Sequence, residues 1–200
     1  MKEKEDVLIL TRLTLNPAHP EAVRSLGDPY RLHSHLAAAA PGFRPLFRLE
    51  GGRPPRVLVA STEPLHLHKL PPGFAQAESK AVGPEHLRAG GLYRFRLRAN
   101  PVRRLGRRKE GLLALEDQLA WLERNLALRG ARLLHVREAR QEGLLRIRKP
   151  GEKPFSLVSV LYEGILQVGD PAPLWRAEKE GIGPGKAFGF GLLSLAPLRW

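Results

Sequence analysis

Tyr30 and His33 stand three residues apart in Asp28-Pro29-Tyr30-Arg31-Leu32-His33-Ser34-His35-Leu36, a spacing that places both side chains on one face of a helix. Leu32, Leu36 and Ala39 form a different stripe, the expected core face, and His33 lies about 100° round from Leu32. His33 is therefore expected to be accessible. An imidazole with an unperturbed pKa of about 6.5 can give or take a proton near neutrality, as general acid–base catalysis requires. A surface histidine beside a tyrosine is also an ordinary feature of a solvated helix, so spacing alone leaves both readings open.

A second constellation lies near the C-terminus, in Gly181-Ile182-Gly183-Pro184-Gly185-Lys186-Ala187-Phe188-Gly189-Phe190-Gly191. Glycine at this density lets a backbone adopt positive φ and come close to a phosphate. The known nucleotide loops do not fit it. A Walker A loop needs glycine where Glu180 stands and Ser or Thr where Ala187 stands. The dinucleotide pattern needs a third glycine at Phe188 and a helix after the loop, whereas a strand-like run follows. His33-x-His35 and His66-x-His68 suggest a metal, but the chain has no cysteine and no carboxylate placed to complete a ligand set. No metal and no cofactor is expected, and His35 and His66 read as ordinary polar or polyanion-facing side chains.

The charge balance points to the partner. The chain carries 33 Lys and Arg against 20 Asp and Glu, a formal net charge of +13, which is the footprint of nucleic-acid binding. An arginine-rich surface with no specific role is the plainer reading, and clustering argues against it. Arg94, Arg96, Arg98, Arg103, Arg104, Arg107, Arg108 and Lys109 follow one another with no acidic residue between them. Arg146, Arg148, Lys149 and Lys153 surround a Pro-Gly turn, and a cationic hairpin tip of this kind suits a phosphate backbone. The charged start, Met1 to Asp6, lacks the apolar core of a signal peptide, and no run approaches the roughly 18 apolar residues of a membrane span. A soluble cytoplasmic protein is expected.

The elements that must hold these residues follow from periodicity. Val7 to Leu15 alternates as a strand, and Asn16-Pro17 ends it. Asp28-Pro29 supplies an N-cap and a first-turn proline for a helix running to about Ala40. Phe43–Leu49 and Arg56–Ser61 read as a hairpin. From Thr62 to Gly91 the pattern is weak, and loops with one short helix at most are expected. Leu92 to Arg98 alternates Tyr93, Phe95 and Leu97 with arginines, giving a strand with an apolar and a basic face. Leu115, Leu119, Leu122 and Leu126 mark a helix stopped by Gly130. Strands are expected at 132–136, 144–148, 155–161 and 165–168, then a helix opened by Asp170-Pro171 and a last strand at 192–195. The fold class is thus α+β, with two tandem ferredoxin-like βαββαβ domains of antiparallel sheet, residues 1–89 and 90–200. The first lacks a convincing second helix.

Taken in order, Leu13-x-Leu15-Asn16-Pro17, Asp28-Pro29-Tyr30-Arg31-Leu32-His33, Phe95-Arg96-Leu97-Arg98-Ala99-Asn100-Pro101, Ala120-Trp121-Leu122-Glu123-Arg124, Glu163-Gly164 and the loop from Gly181 to Pro197 resemble the CasE-type CRISPR repeat-processing endoribonucleases. These are members of the RAMP superfamily and of the type I-E Cascade complex. The resemblance implies a metal-independent enzyme that binds the stem-loop of CRISPR repeat RNA and cuts at the 3′ base of the stem. The upstream 2′-hydroxyl attacks the adjacent phosphate, leaving a 2′,3′-cyclic phosphate. It implies His33 as general acid or base, with Tyr30 as its helical partner. It also implies the glycine-rich loop, with Gly183, Gly185 and Gly189, beside the scissile phosphate and packed on the first domain's helix. Lys186 is the candidate for charge stabilisation there, chosen for its chemistry. Arg146, Arg148, Lys149 and Lys153 match the family's basic hairpin, with a shorter connection, and Arg96 and Arg98 are further RNA-binding candidates. The residue after the histidine, basic in some relatives, is Ser34 here. Met1 to Asp6 and Leu198-Arg199-Trp200 have no evident counterpart. Repeat RNA and other Cascade subunits are the implied partners, with the isolated chain a monomer or weakly self-associating. A non-cleaving RNA-binding RAMP subunit and a generic basic RNA-associated protein are the competing readings.

Overall fold

The computed structural model describes residues 6–198, so Met1 to Glu5 of the charged extension and Arg199-Trp200 lie outside the described residues. The chain divides into two units, Met1–His86 with Ala187–Gly189, and Leu87–Lys186 with Phe190–Trp200. Among the described residues, no helix is long and apolar enough to cross a membrane.

The first unit runs β1 (Leu8–Leu15), α1 (Pro20–Gly27), α2 (Pro29–Ala38), β2 (Leu46–Glu50), β3 (Arg56–Ser61) and β4 (Ala75–Val82). Its antiparallel sheet has the order β2-β3-β1-β4. Register aligns Phe47 with Val59 and Val59 with Thr11, while Leu13 faces Val57. With Leu15 and Phe74, these side chains make the face on which Leu32 and Leu36 of α2 pack. Leu32 and Leu36 are almost fully buried, and each contributes about 2 kcal/mol of transfer free energy to seating the helix.

Two elements differ from expectation. α1 is an eight-residue helix whose N-cap, His19, makes no side-chain cap bond, so only Pro20 marks its start. β4 is a full strand where loops were expected, paired with β1 from Leu8↔Val82 to Leu15↔Ala75. It lies at the sheet edge, mostly exposed, and carries Glu78 and Lys80, so it shows no hydrophobic alternation. Between β3 and β4 the only helical piece is a 3₁₀ turn, Leu67–Lys69, within a short 3₁₀-and-loop connection.

The second unit runs β5 (Leu92–Ala99), β6 (Val102–Leu105), β7 (Arg108–Gly111), α3 (Leu115–Ala127), β8 (Ala131–Ile147), β9 (Phe155–Val168), α4 (Pro171–Glu180) and β10 (Leu193–Pro197). Its main sheet has the order β10-β5-β9-β8. Numbered in chain order within each four-stranded sheet, the strands of both read 4-1-3-2, the same antiparallel ferredoxin-like arrangement. The strands expected at 132–136 and 144–148 are one, β8, and those at 155–161 and 165–168 are one, β9. Register shifts between Leu133/His135, Val136/Glu138 and Gln141/Gly143 interrupt the alternation that would have joined them. Gly164 belongs to the same irregularity: a Cβ there would lie 2.1 Å from the His135 carbonyl oxygen, so only glycine fits. β6 and β7 form a small hairpin of their own, turning at Gly106 with φ +60°, in the stretch read only as a cluster of charge.

Candidate active site and RNA interface

The helix that carries Tyr30 and His33 is fixed at its start by its own sequence. The Asp28 carboxylate accepts hydrogen bonds from the backbone N–H groups of Tyr30 (3.1 Å) and Arg31 (3.2 Å), a cap that contributes about 1 kcal/mol. Pro29 occupies the first turn, where its missing N–H costs nothing. The Ser34 hydroxyl donates back to the Tyr30 carbonyl at 2.9 Å. Beyond the cap, Glu21 of α1 accepts from Arg24 (2.8 Å) and Arg31 (3.0 Å), with His35 Nε2 3.3 Å away. These partners, Arg24 first, hold the Glu21 carboxyl down at about 2. His35 also packs its ring on Phe74 at 5.1 Å. It is therefore a structural contact between α1, α2 and the core.

Tyr30 and His33 are both half-buried, and His33 flanks the face of α2 that carries Leu32 and Leu36. Within the first unit, the His33 ring lies 6.5 Å from the Phe188 ring, tilted by 58°. Phe188 ends a one-turn 3₁₀ helix that begins at Lys186. Gly189, which follows, has φ +90°, and a Cβ there would stand 3.1 Å from the Phe47 ring. Phe188 thus sets an aromatic ring beside the imidazole. Phe188 was not singled out from sequence. The signal for it was present, since two phenylalanines interrupt an otherwise glycine-rich run.

The rest of the loop belongs to the second unit, and its glycines are explained by protein neighbours. A Cβ at Gly183 (φ +80°) would stand 2.9 Å from the Trp121 ring, and one at Gly185 (φ +88°) 2.9 Å from Phe190. Trp121 in turn stacks on Tyr162, 6.4 Å between centroids and 15° between planes. Burial pushes the Tyr162 phenol well up, and its hydroxyl donates to the Gln118 carbonyl at 3.0 Å. The loop closes on itself where the Ile182 N–H donates to the Gly191 carbonyl (2.9 Å). It is pinned to β5 where the Gly191 N–H donates to the Arg98 carbonyl (2.8 Å). Asn100, buried after β5, accepts from the Val158 N–H of β9 at 3.1 Å. Several residues of the Arg-Ala-Asn-Pro and Ala-Trp-Leu segments thus serve to hold this loop and its sheet.

Of the cationic candidates, Arg146, Arg148, Lys149 and Lys153 lie at the β8–β9 turn, where Arg146, Arg148 and Lys153 are exposed. Lys149 sits 3.4 Å from Glu152 and over the Phe155 ring at 5.9 Å. Arg96 and Arg98 are on the basic face of β5, each met by a carboxylate. Arg96 pairs with Glu163 directly across on β9. Arg98 donates twice to Glu142 of β8 (2.8 and 3.0 Å), and Ser159 donates to the same group at 2.7 Å. Burial alone would raise the Glu142 carboxyl, but Arg98, Ser159 and the nearby Arg140 outweigh it and hold it below the usual carboxylate range. Both arginines therefore brace the sheet.

A family model described as "CRISPR associated protein" matches residues 8–197 of the chain. The CRISPR-associated endoribonuclease Cse3 of Thermus thermophilus is 39% identical over 209 aligned positions, covering 94% of this chain and 99% of that protein. The CRISPR system Cascade subunit CasE of Escherichia coli is 34% identical over 119 positions, 52% of this chain and 57% of its own length. A solved structure of the Thermus thermophilus Cse3 bound to an RNA representing a pre-cleavage complex superposes with a TM-score of 0.87 at 38% identity, covering 95% of this chain and 99% of that one.

Proposed function

Because the chain belongs to the CRISPR-associated protein family, matched from residue 8 to residue 197, we propose that it is the endoribonuclease that cuts CRISPR precursor RNA at its repeats. It binds the repeat stem-loop and cleaves at the 3′ base of the stem. RNA supplies its own nucleophile. The 2′-hydroxyl oxygen attacks the neighbouring phosphorus, the bond to the 5′ oxygen of the next nucleotide breaks, and a 2′,3′-cyclic phosphate and a 5′-hydroxyl result. The protein has to align these atoms, move a proton and stabilise charge.

His33 is proposed as the group that moves the proton and Tyr30 as the neighbour that positions the attacking hydroxyl or assists the transfer. Lys186 is proposed to stabilise the charge that develops on phosphate. Arg146, Arg148, Lys149 and Lys153 hold the stem through its backbone. Duplex RNA hides its base edges in a deep groove, so phosphates and 2′-hydroxyls dominate its recognition. The observation that carries the reading is the His33 ring set against Phe188 of the glycine-rich loop, on a helix fixed by the Asp28 cap. The site of action is the cytoplasm, where precursor RNA is made, and the product stays bound for delivery to the other Cascade subunits. The isolated chain is a monomer or weakly self-associating.

His33→Ala tests the assignment. With a repeat hairpin as substrate, single-turnover cleavage should fall by 10²-fold or more while RNA affinity stays within a few-fold of wild type. Equal cutting by the two proteins would leave a non-cleaving RNA-binding subunit as the better reading. Cleavage should also persist in excess EDTA, with product ends mapped as cyclic phosphate and 5′-hydroxyl. Loss of cutting on chelation would remove the metal-free mechanism.

A further inference from the structure

The second unit contains a groove that the proposed cleavage reaction does not use. It has a volume of about 370 Å³ and is lined by Lys109, Leu113, Leu144, Leu157, Val158 and Pro184, among others. Its floor is apolar and firmly built. A Cβ at Gly111 would fall 2.4 Å from Val158, so β7 sits directly on β9, and Asn100 ties the same stretch of β9 to the end of β5. Yet Leu113 and Leu144 are 66% and 63% exposed, a poor arrangement for leucines with nothing to cover them.

The rim is cationic on two sides. One side is the β6–β7 hairpin, where Arg103, Arg104, Arg107, Arg108 and Lys109 are exposed. Glu110 also lines the groove, and its charge is met by Arg103 at 2.8 Å. Arg104 stands directly opposite Lys109 in the ladder, a like-charge pair that destabilises the hairpin when no anion is near. The other side is the β8–β9 tip with Arg146 and Arg148. Pro184 at one end makes the groove continuous with the glycine-rich loop.

We propose that this groove is a subsite for an unpaired nucleotide of the strand that flanks the stem. Its base lies on Leu113, Leu144 and Leu157, and its phosphates meet Lys109 and Arg104, which share one face of the hairpin. An apolar floor between two cationic ribbons matches single-stranded nucleic acid, whose bases offer apolar faces and whose backbone carries the charge. A protein partner would match the floor but not the unbalanced arginine ribbon. The small hairpin thus makes the enzyme read the junction between stem and single strand. The inference rests on the proposed RNA-processing role.

Binding of an uncleavable RNA with a 2′-deoxy substitution at the cut tests it by fluorescence anisotropy. Three ligands are compared: the bare stem-loop, the stem-loop with four flanking nucleotides on the 5′ or the 3′ side, and the same with abasic flanks. The wild-type protein should bind one of the flanked RNAs about tenfold more tightly than the bare stem-loop, and abasic residues should abolish that gain. The double variant Leu113→Ser, Leu144→Ser, made at exposed positions, should lose the same gain and still cut, at the wild-type rate, a cleavable stem-loop that carries a single abasic residue beyond the cut. The inference fails if flanks add nothing, or if abasic flanks retain the whole gain. It also fails if the double variant matches wild type on every RNA but no longer assembles with other Cascade subunits, which would make the groove a protein-docking surface. If wild type does not cut the stem-loop with an abasic residue beyond the cut or any cleavable flanked RNA, the enzymatic assignment falls instead, and the binding comparison still decides the subsite.

Discussion

At the scale of single residues, the glycine-rich loop is determined by what a side chain would strike. Gly183 is the clearest case, with positive φ and the Trp121 ring 2.9 Å from where a Cβ would sit. Gly183→Ala should cost about 2 kcal/mol through backbone strain and displacement of a buried ring. For a chain of this length that lowers Tm by roughly 4–8 °C, measurable by calorimetry. Gly27→Ala is the control, since open space surrounds that position and it should leave Tm within a degree or two. The loop's composition was legible as unusual, and its reason was not. Sequence suggests glycine for the approach of a phosphate, whereas these glycines admit Trp121, Phe190 and Phe47. Aromatic rings brought in from distant elements leave no mark in the spacing of the loop itself. The Tyr30/His33 face, by contrast, followed from helical geometry and an Asp-Pro start, both of which are local.

Among the elements, those with strong local punctuation were readable and those defined by partners were not. Asp28-Pro29 and Asp170-Pro171 both open helices with the aspartate as cap. The hairpin of β2 and β3 followed from alternation across a Gly-Pro turn. α1 has only a proline to announce it, β4 is an exposed edge, and β8 is broken by three register shifts. The basic outer face of β5 was predicted, but its carboxylate partners come from β8 and β9. The tie among Arg98, Glu142 and Ser159 also has a pH signature. The folded Glu142 carboxyl lies below its ordinary 4.5, so the stabilisation is complete above that value and is lost as acid protonates the group. The stability advantage of wild type over Glu142→Gln should be full at pH 7, shrink below pH 4.5 and vanish in stronger acid. Urea titrations at each pH would measure it.

For the whole molecule, the dominant quantity is a net charge of +13, of which the exposed ribbons at β6–β7 and β8–β9 are concentrated parts. Binding should therefore be governed by counterion release, and the affinity for a repeat hairpin should fall steeply with salt. Arg146→Gln with Arg148→Gln should reduce the slope of log affinity against log salt by about 2, the value for two lost duplex phosphate contacts. A slope unchanged by both substitutions would remove the β8–β9 tip from the stem-binding surface.

The three residues Ala187–Gly189 add a constraint of a different kind. The chain leaves the second unit after Lys186, lends Phe188 and Gly189 to the first, and returns at Phe190. No single scission yields both units whole. A fragment ending at His86 would surrender the ring beside His33 and uncover Phe47, while a fragment starting at Leu87 would carry an orphaned tripeptide. The order of the chain and the grouping of its folded parts are interleaved there, so the first unit is complete only when residues 187–189 are present.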